Sequence, residues 1–374
     1  MGAQRRREPV DEQACCRSET FSGLHPGVRS PAVSRYPPAM PIEPVARFIW
    51  LGPRLSPTAW LAVRAATDRG GFNRVVLHVD DPAIAADPLV ADLVNTGVRL
   101  VREDGPARIA ALSDHPDGAI APHEASRLAD LYSRAGQPAI AADLLRLAIL
   151  FRDGGVYLDA DAITLRDTAP VLEAPGFAGL EYICLPARVR DSHNPLRWAH
   201  AGALMAVRDV LSRTSGGHRG FDRVSKAYHV AANNAVLGSM PRHPVIGEAL
   251  RTAASYDDAR ALRLYQLGPK LLEKVTDNRS RADFRMHPPQ AFYPLSPEIS
   301  WHYFKPSDLR PETVFGERTW CAHLYDSVVK RRLGHGVTVD WLRQTRQTTL
   351  FSRMVEPWLD RLFALVPAQQ RAAR

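Results

Sequence analysis

Two aspartates separated by one small residue, Asp159 and Asp161, directly follow the short apolar run 156–158. Side chains alternate along a strand, so residues two apart point the same way and these carboxylates would lie side by side. Adjacent carboxylates repel each other unless they share a proton or bind a cation. Their oxygen atoms suit hard divalent ions such as Mg²⁺ and Mn²⁺, which also bind phosphate oxygens. An isolated Asp-x-Asp pair is more often part of a solvated loop, so the surrounding residues are needed to distinguish a metal site from such a loop.

A helix that ends in a glycine turn precedes the acidic pair. Residues 140–151 are rich in strong helix formers and carry apolar residues at helical spacing. Pro138 suits the first helical turn, because its missing N–H would have no partner there. Gly154 and Gly155 are suited to end the helix, since glycine adopts left-handed backbone conformations without strain. The pattern predicts a buried helix, a tight turn and a short strand that ends at the two aspartates.

Asp143 and Arg146 lie three residues apart on one face of this otherwise apolar helix. An exposed pair of this kind would contribute only ~0.2–0.5 kcal/mol to stability. A partly buried pair would be costly unless a ligand used it. The pair therefore favours a ligand site that includes both the helix and the two aspartates.

The combined pattern resembles the DXD sugar-binding-motif glycosyltransferases of family 32, which include capsular polysaccharide synthesis transferases. The catalytic domains of the glucosylating clostridial toxins are similar here. The residues in register are Asp143, Arg146, Gly154, Gly155, Tyr157, Asp159 and Asp161, with Ala142 in place of the usual Ser. The resemblance implies an α/β fold of GT-A type, with a Rossmann-like, mostly parallel central sheet flanked by helices. It also implies that Asp143 and Arg146 are catalytic residues that hold sugar hydroxyls and phosphate, that Asp161 binds a metal ion, and that Asp159 contacts ribose or a metal-bound water.

Further segments resemble the same family. Trp50 lies near the end of the predicted strand 45–52, and the matching Trp of the toxins stacks on the uracil of the nucleotide, a contact worth ~1–3 kcal/mol. Asn233 or Asn234 corresponds to a family Asn near the donor sugar, and Asn234 is our candidate catalytic residue. His323 lies in a closing segment whose His or Ser can complete the metal shell, although Val328 replaces the family's Trp. Each of these residues could instead have a purely structural role. Trp50 could be a core residue, Asn233 or Asn234 could form a turn, and His323 could bind no ligand.

Strands and helices alternate along the first part of the chain, which favours a parallel sheet with right-handed crossovers. The predicted strands are 45–52, 72–80, 98–103, 177–183 and 201–207. The predicted helices are 57–67, with Ser56 as its N-cap, 84–95, 124–135 and 340–366. The predicted loops are 104–122 and 186–200.

The 374 residues can form one large α/β domain with an ample core. Residues 1–40 are rich in Arg, Pro, Ser and Gly and are predicted to form a disordered basic N-terminal tail. Residues 41–335 would form the GT-A glycosyltransferase catalytic domain. Residues 336–374 would form a C-terminal helical extension, which could lie on a membrane surface or pack on the core.

Composition limits the compartment and the partners. The net charge of +8 favours anionic partners such as a nucleotide or lipid headgroups, and since no nucleic-acid-binding motif is present we expect no nucleic-acid partner. The four cysteines form no C-x-x-C pattern, which favours a reducing compartment without structural zinc. No apolar run approaches the ~18 residues of a membrane-spanning helix, and no secretory signal is apparent. We therefore predict a cytoplasmic protein that could contact the inner face of the membrane through its C-terminal helices.

These observations predict a metal-dependent glycosyltransferase that moves a sugar from a nucleotide-sugar donor to a glycan, lipid or protein acceptor. The cofactor would be Mn²⁺ or Mg²⁺, held by Asp159, Asp161 and His323, and the donor a UDP-sugar or GDP-sugar. The resemblance implies retention of the anomeric configuration. One alternative is a haloacid-dehalogenase-like phosphatase, in which Asp159 would be the nucleophile and Asp161 a general acid. The other is a catalytically inactive sugar- or anion-binding protein.

Overall fold

The structure, a computed structural model, describes residues 42–367, so the predicted tail 1–40 lies outside the described residues. Its strands are β1 (Val45–Trp50), β2 (Arg74–Val79), β3 (Arg99–Arg102), β4 (Gly155–Leu158), β5 (Ala162–Thr164), β6 (Gly176–Ile183), β7 (His229–Ser239), β8 (Arg285–His287) and β9 (Cys321–His323).

Helices surround these strands. They are α1 (Pro57–Arg69), α2 (Pro88–Asn95), α3 (Gly105–Ala110), α4 (Pro122–Ser133), α5 (Pro138–Asp153), α6 (Ala187–Arg190), α7 (Pro195–Arg213), α8 (Gly217–Val224), α9 (Pro244–Ala254), α10 (Asp258–Ala261), α11 (Pro269–Thr276), α12 (Pro289–Phe292), α13 (Pro311–Val314), α14 (Asp326–Leu333), α15 (Val339–Thr345), α16 (Leu350–Met354) and α17 (Glu356–Leu365). Short 3₁₀ turns occur at Pro82–Ala86, Ala111–Asp114, Ala169–Val171, Ser225–Ala227 and Ser300–Tyr303.

A seven-stranded sheet forms the centre of residues 42–367, in the order β3-β2-β1-β4-β7-β6-β8. The pairs β1–β2, β1–β4, β2–β3 and β6–β8 are parallel. Strand β7 is antiparallel to both of its neighbours, β4 and β6. The predicted α/β architecture, with a mostly parallel central sheet flanked by helices, is confirmed.

Alternate residues of β1 enter two different core layers, as the two-residue period of a strand requires. Phe48 packs in a layer that includes Trp60 of α1 and Phe351 of α16. Ile49 packs in the layer on the other face, which includes Leu144 and other apolar residues of α5. The sheet is therefore covered on both faces, and α5 lies on the face opposite α1.

Three sequence-based predictions were wrong. Residues 201–207, predicted as a strand, belong to α7, which begins with Pro195 and is capped by the side chain of Asn194. A short apolar run cannot distinguish strand from helix, and this run is rich in alanine. The predicted loop 104–122 contains α3, whose first turn is capped by Asp104. The predicted loop 186–200 contains α6 and the start of α7.

The C-terminal helices pack on the core of residues 42–367. Leu342, Phe351, Trp358 and Leu359 are each at most 5% exposed and belong to the same apolar cluster as Trp60 of α1. Among the described helices, none combines the length and the apolar character that crossing a bilayer requires.

Candidate active site

The glycine turn after α5 places β4 in the middle of the sheet. Gly154 and Gly155 have φ values of +63° and +99°, which favour glycine. A side-chain carbon on Gly155 would lie 2.7 Å from the carbonyl oxygen of Val45, so only glycine allows β4 to approach β1 this closely. Since β4 ends at Leu158, the carboxyl end of a central strand delivers Asp159 and Asp161 to the edge where α/β sheets bind ligands.

Asp161 and His323 come together through the small second sheet. Strand β5 follows Asp161 and pairs with β9, and Ala162 lies opposite His323. The Nε2 atom of His323 lies 3.0 Å from Oδ1 of Asp161 and 3.7 Å from Oδ2 of Asp159. One potential ligand atom from each of these three residues lies within 4.8 Å of the other two. The three residues predicted from the sequence as metal ligands are therefore neighbours in the structure.

The ion pair of His323 and Asp161 shifts both groups toward their charged forms. Burial opposes the imidazolium, but Asp161 and Asp159 outweigh it and raise the pKa of His323. Burial also opposes the carboxylate, but His323 and the amide of Asp326 outweigh it and lower the pKa of Asp161. The Asp326 amide donates to Oδ2 of Asp161 over 2.8 Å. Because one imidazole nitrogen faces both carboxylates, a proton or a metal ion can occupy the space between them.

Arg146 connects the acidic pair to the second predicted group of catalytic residues. Its Nη1 atom donates to the carbonyl oxygen of Asn234 over 2.8 Å and lies 3.1 Å from Oδ1 of Asp159. Its Nη2 atom lies 3.2 Å from Oδ1 of Asp143. The guanidinium also stacks over the ring of Tyr157 at 4.4 Å, and the Tyr157 hydroxyl donates to Oδ1 of Asp159 over 2.7 Å. These contacts fix one oxygen of Asp159 and leave its Oδ2 facing His323.

Asp143 and Asn234 form a buried pair beside Arg146. The side-chain amide of Asn234 donates to Oδ1 of Asp143 over 2.9 Å. Burial raises the pKa of Asp143, and Arg146 and Asn234 oppose that shift. A side-chain carbon on Gly268 would lie 2.6 Å from Oδ2 of Asp143, so the absent side chain leaves room for this carboxylate. Asn234 lies inside strand β7, and the alternative of an Asn in a turn is therefore wrong.

Glu181 and Tyr325 were missed by the sequence analysis. The Tyr325 hydroxyl donates to Oε2 of Glu181 over 2.8 Å, and the Tyr325 ring packs against the ring of His323 with centroids 4.2 Å apart. Burial raises the pKa of Glu181 to about 7. The one signal in the sequence was an acidic residue inside the otherwise apolar strand β6, where an unpaired charge would be costly.

Trp50 lies at the same edge of the sheet as the acidic pair. In the β1–β4 register Arg47 is opposite Tyr157, so the end of β1 and the start of the Asp-x-Asp turn are adjacent. The indole N–H donates to the carbonyl oxygen of Arg54 over 2.9 Å, and the ring packs against the core while part of it stays exposed. Base stacking by Trp50 remains a prediction.

One segment of the chain matches a family model of known proteins. Residues 102–177, from the end of β3 to the start of β6, match the family model described as "Glycosyltransferase sugar-binding region containing DXD motif". The match confirms the resemblance seen in the sequence and the predicted enzyme class, a glycosyltransferase. No curated protein sequence matches the chain.

Several solved structures are similar to this one. The PaToxG glycosyltransferase has a TM-score of 0.40 and 16% identity, with 63% of this chain and 68% of that chain covered. The ligand-free glycosyltransferase domain of the YGT toxin has a TM-score of 0.38 and 10% identity, with coverages of 82% and 89%. The bifunctional glycosyltransferase WbbM, in its apo form, has a TM-score of 0.37 and 11% identity, with coverages of 88% and 53%. At TM-scores below 0.5 these likenesses assign no role to any residue of the present chain.

Proposed function

We propose that this protein is a divalent-metal-dependent glycosyltransferase that moves a sugar from a nucleoside-diphosphate-sugar to an acceptor. The observation that carries the proposal is the convergence of Asp159, Asp161 and His323 within 4.8 Å. This triad lies beside the contacts of Arg146 with Asp143 and Asn234. The geometry thus combines a place for a cation with polar groups suited to a sugar and its phosphates.

The donor set of the triad fits Mn²⁺ or Mg²⁺. Two carboxylates supply the oxygen ligands that hard divalent ions prefer, and the imidazole favours Mn²⁺ over Mg²⁺. The net charge of the side chains at the candidate site also favours a divalent ion. The group contains three carboxylates, those of Asp143, Asp159 and Asp161, and one guanidinium, that of Arg146, which contacts the first two. With His323 neutral, as a metal ligand must be, one divalent ion would bring this group of side chains to zero net charge.

The side chains would divide the work as follows. When bound, the ion would supply positive charge that neutralises the diphosphate leaving group as its bond to the sugar breaks. Arg146 is held rigidly by two aspartates and the Tyr157 ring, so it can orient a phosphate or sugar oxygen without reorganising. Asp143 and Asn234 would hold sugar hydroxyls, and the exposed part of Trp50 would stack on the base. UDP-sugars are the first choice of donor because of this aromatic position, and GDP-sugars the second.

Retention of configuration, a glycan, lipid or protein acceptor, a role in polysaccharide biosynthesis and a cytoplasmic location are parts of the same proposal. They rest on the family resemblance and on composition.

The test is donor hydrolysis by the full chain with a panel of UDP-sugars and GDP-mannose. We expect slow, Mn²⁺-stimulated release of the nucleoside diphosphate that stops when EDTA is added and returns when Mn²⁺ is restored. Release that is unaffected by chelation, or no stabilisation by any nucleotide-sugar in thermal melts with Mn²⁺, would contradict the proposal. Hydrolysis of p-nitrophenyl phosphate to inorganic phosphate, lost on replacing Asp159, would instead support the phosphatase alternative.

A further inference from the structure

Helix α7 presents an exposed apolar stripe. Leu196, Ala199, Ala203, Val207 and Val210 follow the spacing that places residues on one side of a helix. All five are exposed, with Leu196 at 77%, Val210 at 59% and Val207 at 39%. On the opposite side of α7, the side chains that pack on or near the core are Ala201, Leu204, Met205 and Leu211. The helix therefore has two apolar sides, and only one of them is used by the fold.

The segment around this stripe has a large net positive charge. Residues 187–226 contain eight Lys and Arg against three Asp and Glu, a net charge of +5, while the whole chain has +8. Among these residues Arg197, Arg213, Arg219, Arg223 and Lys226 are exposed, on α7, on α8 and just after α8. An apolar stripe beside exposed cations is the composition of a helix that lies in the interface of an anionic membrane.

The same segment lies at the end of the sheet that carries the candidate active site. Helices α6 to α8 connect β6 to β7, and the connection leaves the sheet at the pair Ile183–His229. Strand β4 stops at Leu158, opposite Val236, and from there β7 extends past the site through Asn234 to His229. The α6–α8 segment therefore stands beyond the carboxyl end of β4, on the side where Asp159 and Asp161 lie.

We propose that the stripe of α7 docks on the surface of an anionic lipid bilayer, with the neighbouring Arg and Lys side chains on the headgroups. The positive charge of the segment favours an anionic bilayer over a second copy of the chain as the partner of this stripe. A symmetric dimer through α7 would place two strongly positive segments against each other, whereas an anionic bilayer attracts each exposed Lys or Arg by about 1 kcal/mol. The C-terminal helices, which the sequence suggested for this role, have their apolar side chains in the core. The proposal does not depend on the sugar transferred or on the glycosyltransferase mechanism.

The experiment is sedimentation of the full chain with vesicles of phosphatidylcholine alone or of equimolar phosphatidylcholine and phosphatidylglycerol. We expect binding to the anionic vesicles only, and binding that weakens as salt is added. The double substitution Leu196→Glu with Val210→Glu should lower the apparent affinity on the order of tenfold or more, because it removes inserted apolar area and adds negative charge. A charge variant, Arg213→Glu with Arg219→Glu, should have a similar effect and should leave the apolar stripe intact.

Matched controls come from exposed residues elsewhere. Val94 on α2 is 45% exposed, and Val94→Glu should bind vesicles like the wild type. Arg279, whose side chain is 82% exposed after α11, provides the charge control Arg279→Glu. The proposal is overturned if the α7 variants and the controls bind equally, if the wild type ignores anionic vesicles, or if it instead forms a dimer that the α7 substitutions dissociate. Circular dichroism on each variant establishes that it is folded before its binding is compared.

Discussion

Residues 42–367 include a largely buried group of charged side chains at the candidate active site and another on the α5 side of the sheet. In the second group, the His78 ring lies 2.7 Å from Glu103, and Arg108 contacts both Glu103 and Asp153. Arg47 of β1 donates from Nε to the carbonyl oxygen of Gly154 over 2.6 Å. We call Arg47, His78, Glu103, Arg108 and Asp153 the structural ion network. It joins β1, β2, the residue after β3, α3 and the end of α5.

The two groups differ in charge balance. The structural ion network has two guanidiniums for two carboxylates, and burial lowers the pKa of His78 despite its contact with Glu103. The candidate site has three carboxylates, those of Asp143, Asp159 and Asp161, for one guanidinium, and the two aspartates beside His323 raise its pKa despite its burial. Buried charges that balance one another hold elements together, whereas a buried excess of one sign indicates that a ligand supplies the missing charge.

The largest effect on stability should come from breaking the structural ion network. Glu103→Ala removes the partner of His78 and one of the two partners of Arg108, and we expect the free energy of unfolding to fall by about 3 kcal/mol. Activity per folded molecule, measured well below the melting temperature, should stay near that of the wild type. Urea unfolding measures the stability and donor hydrolysis the activity, both on the same preparation. A large loss of activity without a loss of stability would place this network in the reaction.

At the candidate active site we expect the opposite result, a loss of activity without a loss of stability. Asp161→Asn removes a negative ligand from the triad and should slow donor hydrolysis by ~10²–10³, which corresponds to roughly 2.7–4 kcal/mol in the barrier. It should also abolish the rise in melting temperature that Mn²⁺ produces in the wild type. Asp80→Asn is the matched control, because Asp80 also follows a strand but accepts a hydrogen bond from the amide of Gly52. If Asp161→Asn keeps its Mn²⁺-dependent stabilisation, the triad is not the metal site.

Glu181 allows a test of the comparison through the pH dependence of stability. Burial raises its pKa from the ordinary 4.5 to about 7, so between these values the folded protein holds a proton that the unfolded chain has lost. Stability should therefore fall as the pH rises through this window, by up to about 3 kcal/mol from this one group. Glu181→Gln keeps a neutral side chain at every pH and should flatten that part of the profile.

Urea unfolding at pH 5 and pH 8 measures the difference. Glu248→Gln is the control, since the side chain of Glu248 is 45% exposed and pairs with Arg281 at the surface. The same fall with pH in wild type and Glu181→Gln would mean that Glu181 is ionised in the folded protein across the window.

The parts of the site that were predicted from the sequence are those encoded by local patterns. The helix α5, the glycine turn and the strand β4 follow one another without interruption, so residue spacing determined where Asp143, Arg146, Asp159 and Asp161 would lie. His323 was found through a resemblance between separate segments. Its distance from Asp161 depends on the register of β5 with β9, which no local pattern encodes.

Other parts depend on tertiary contacts. The sequence pattern predicts a strand at residues 201–207 of α7 because the helix has apolar residues on its exposed side as well. These residues give an almost continuous apolar run in place of an amphipathic helical pattern. The structural ion network escaped detection because His78, Glu103 and Arg108 lie on different elements and meet only when the sheet and α3 assemble. Glu181 was treated as part of an apolar strand, since its partner Tyr325 lies far away in the sequence.

The pairing of β5 with β9 has a consequence for biogenesis. The side chain that completes the triad is His323, more than 160 residues after Asp159 along the chain. A nascent chain that has folded through β4 already has both aspartates, but it acquires the imidazole only after residues 321–323 have left the ribosome and paired. Long-range pairing of this kind is slow compared with local helix formation. Under the proposed function, the protein would therefore gain high affinity for the metal ion late in synthesis, so that an incomplete chain would not sequester metal or consume donor.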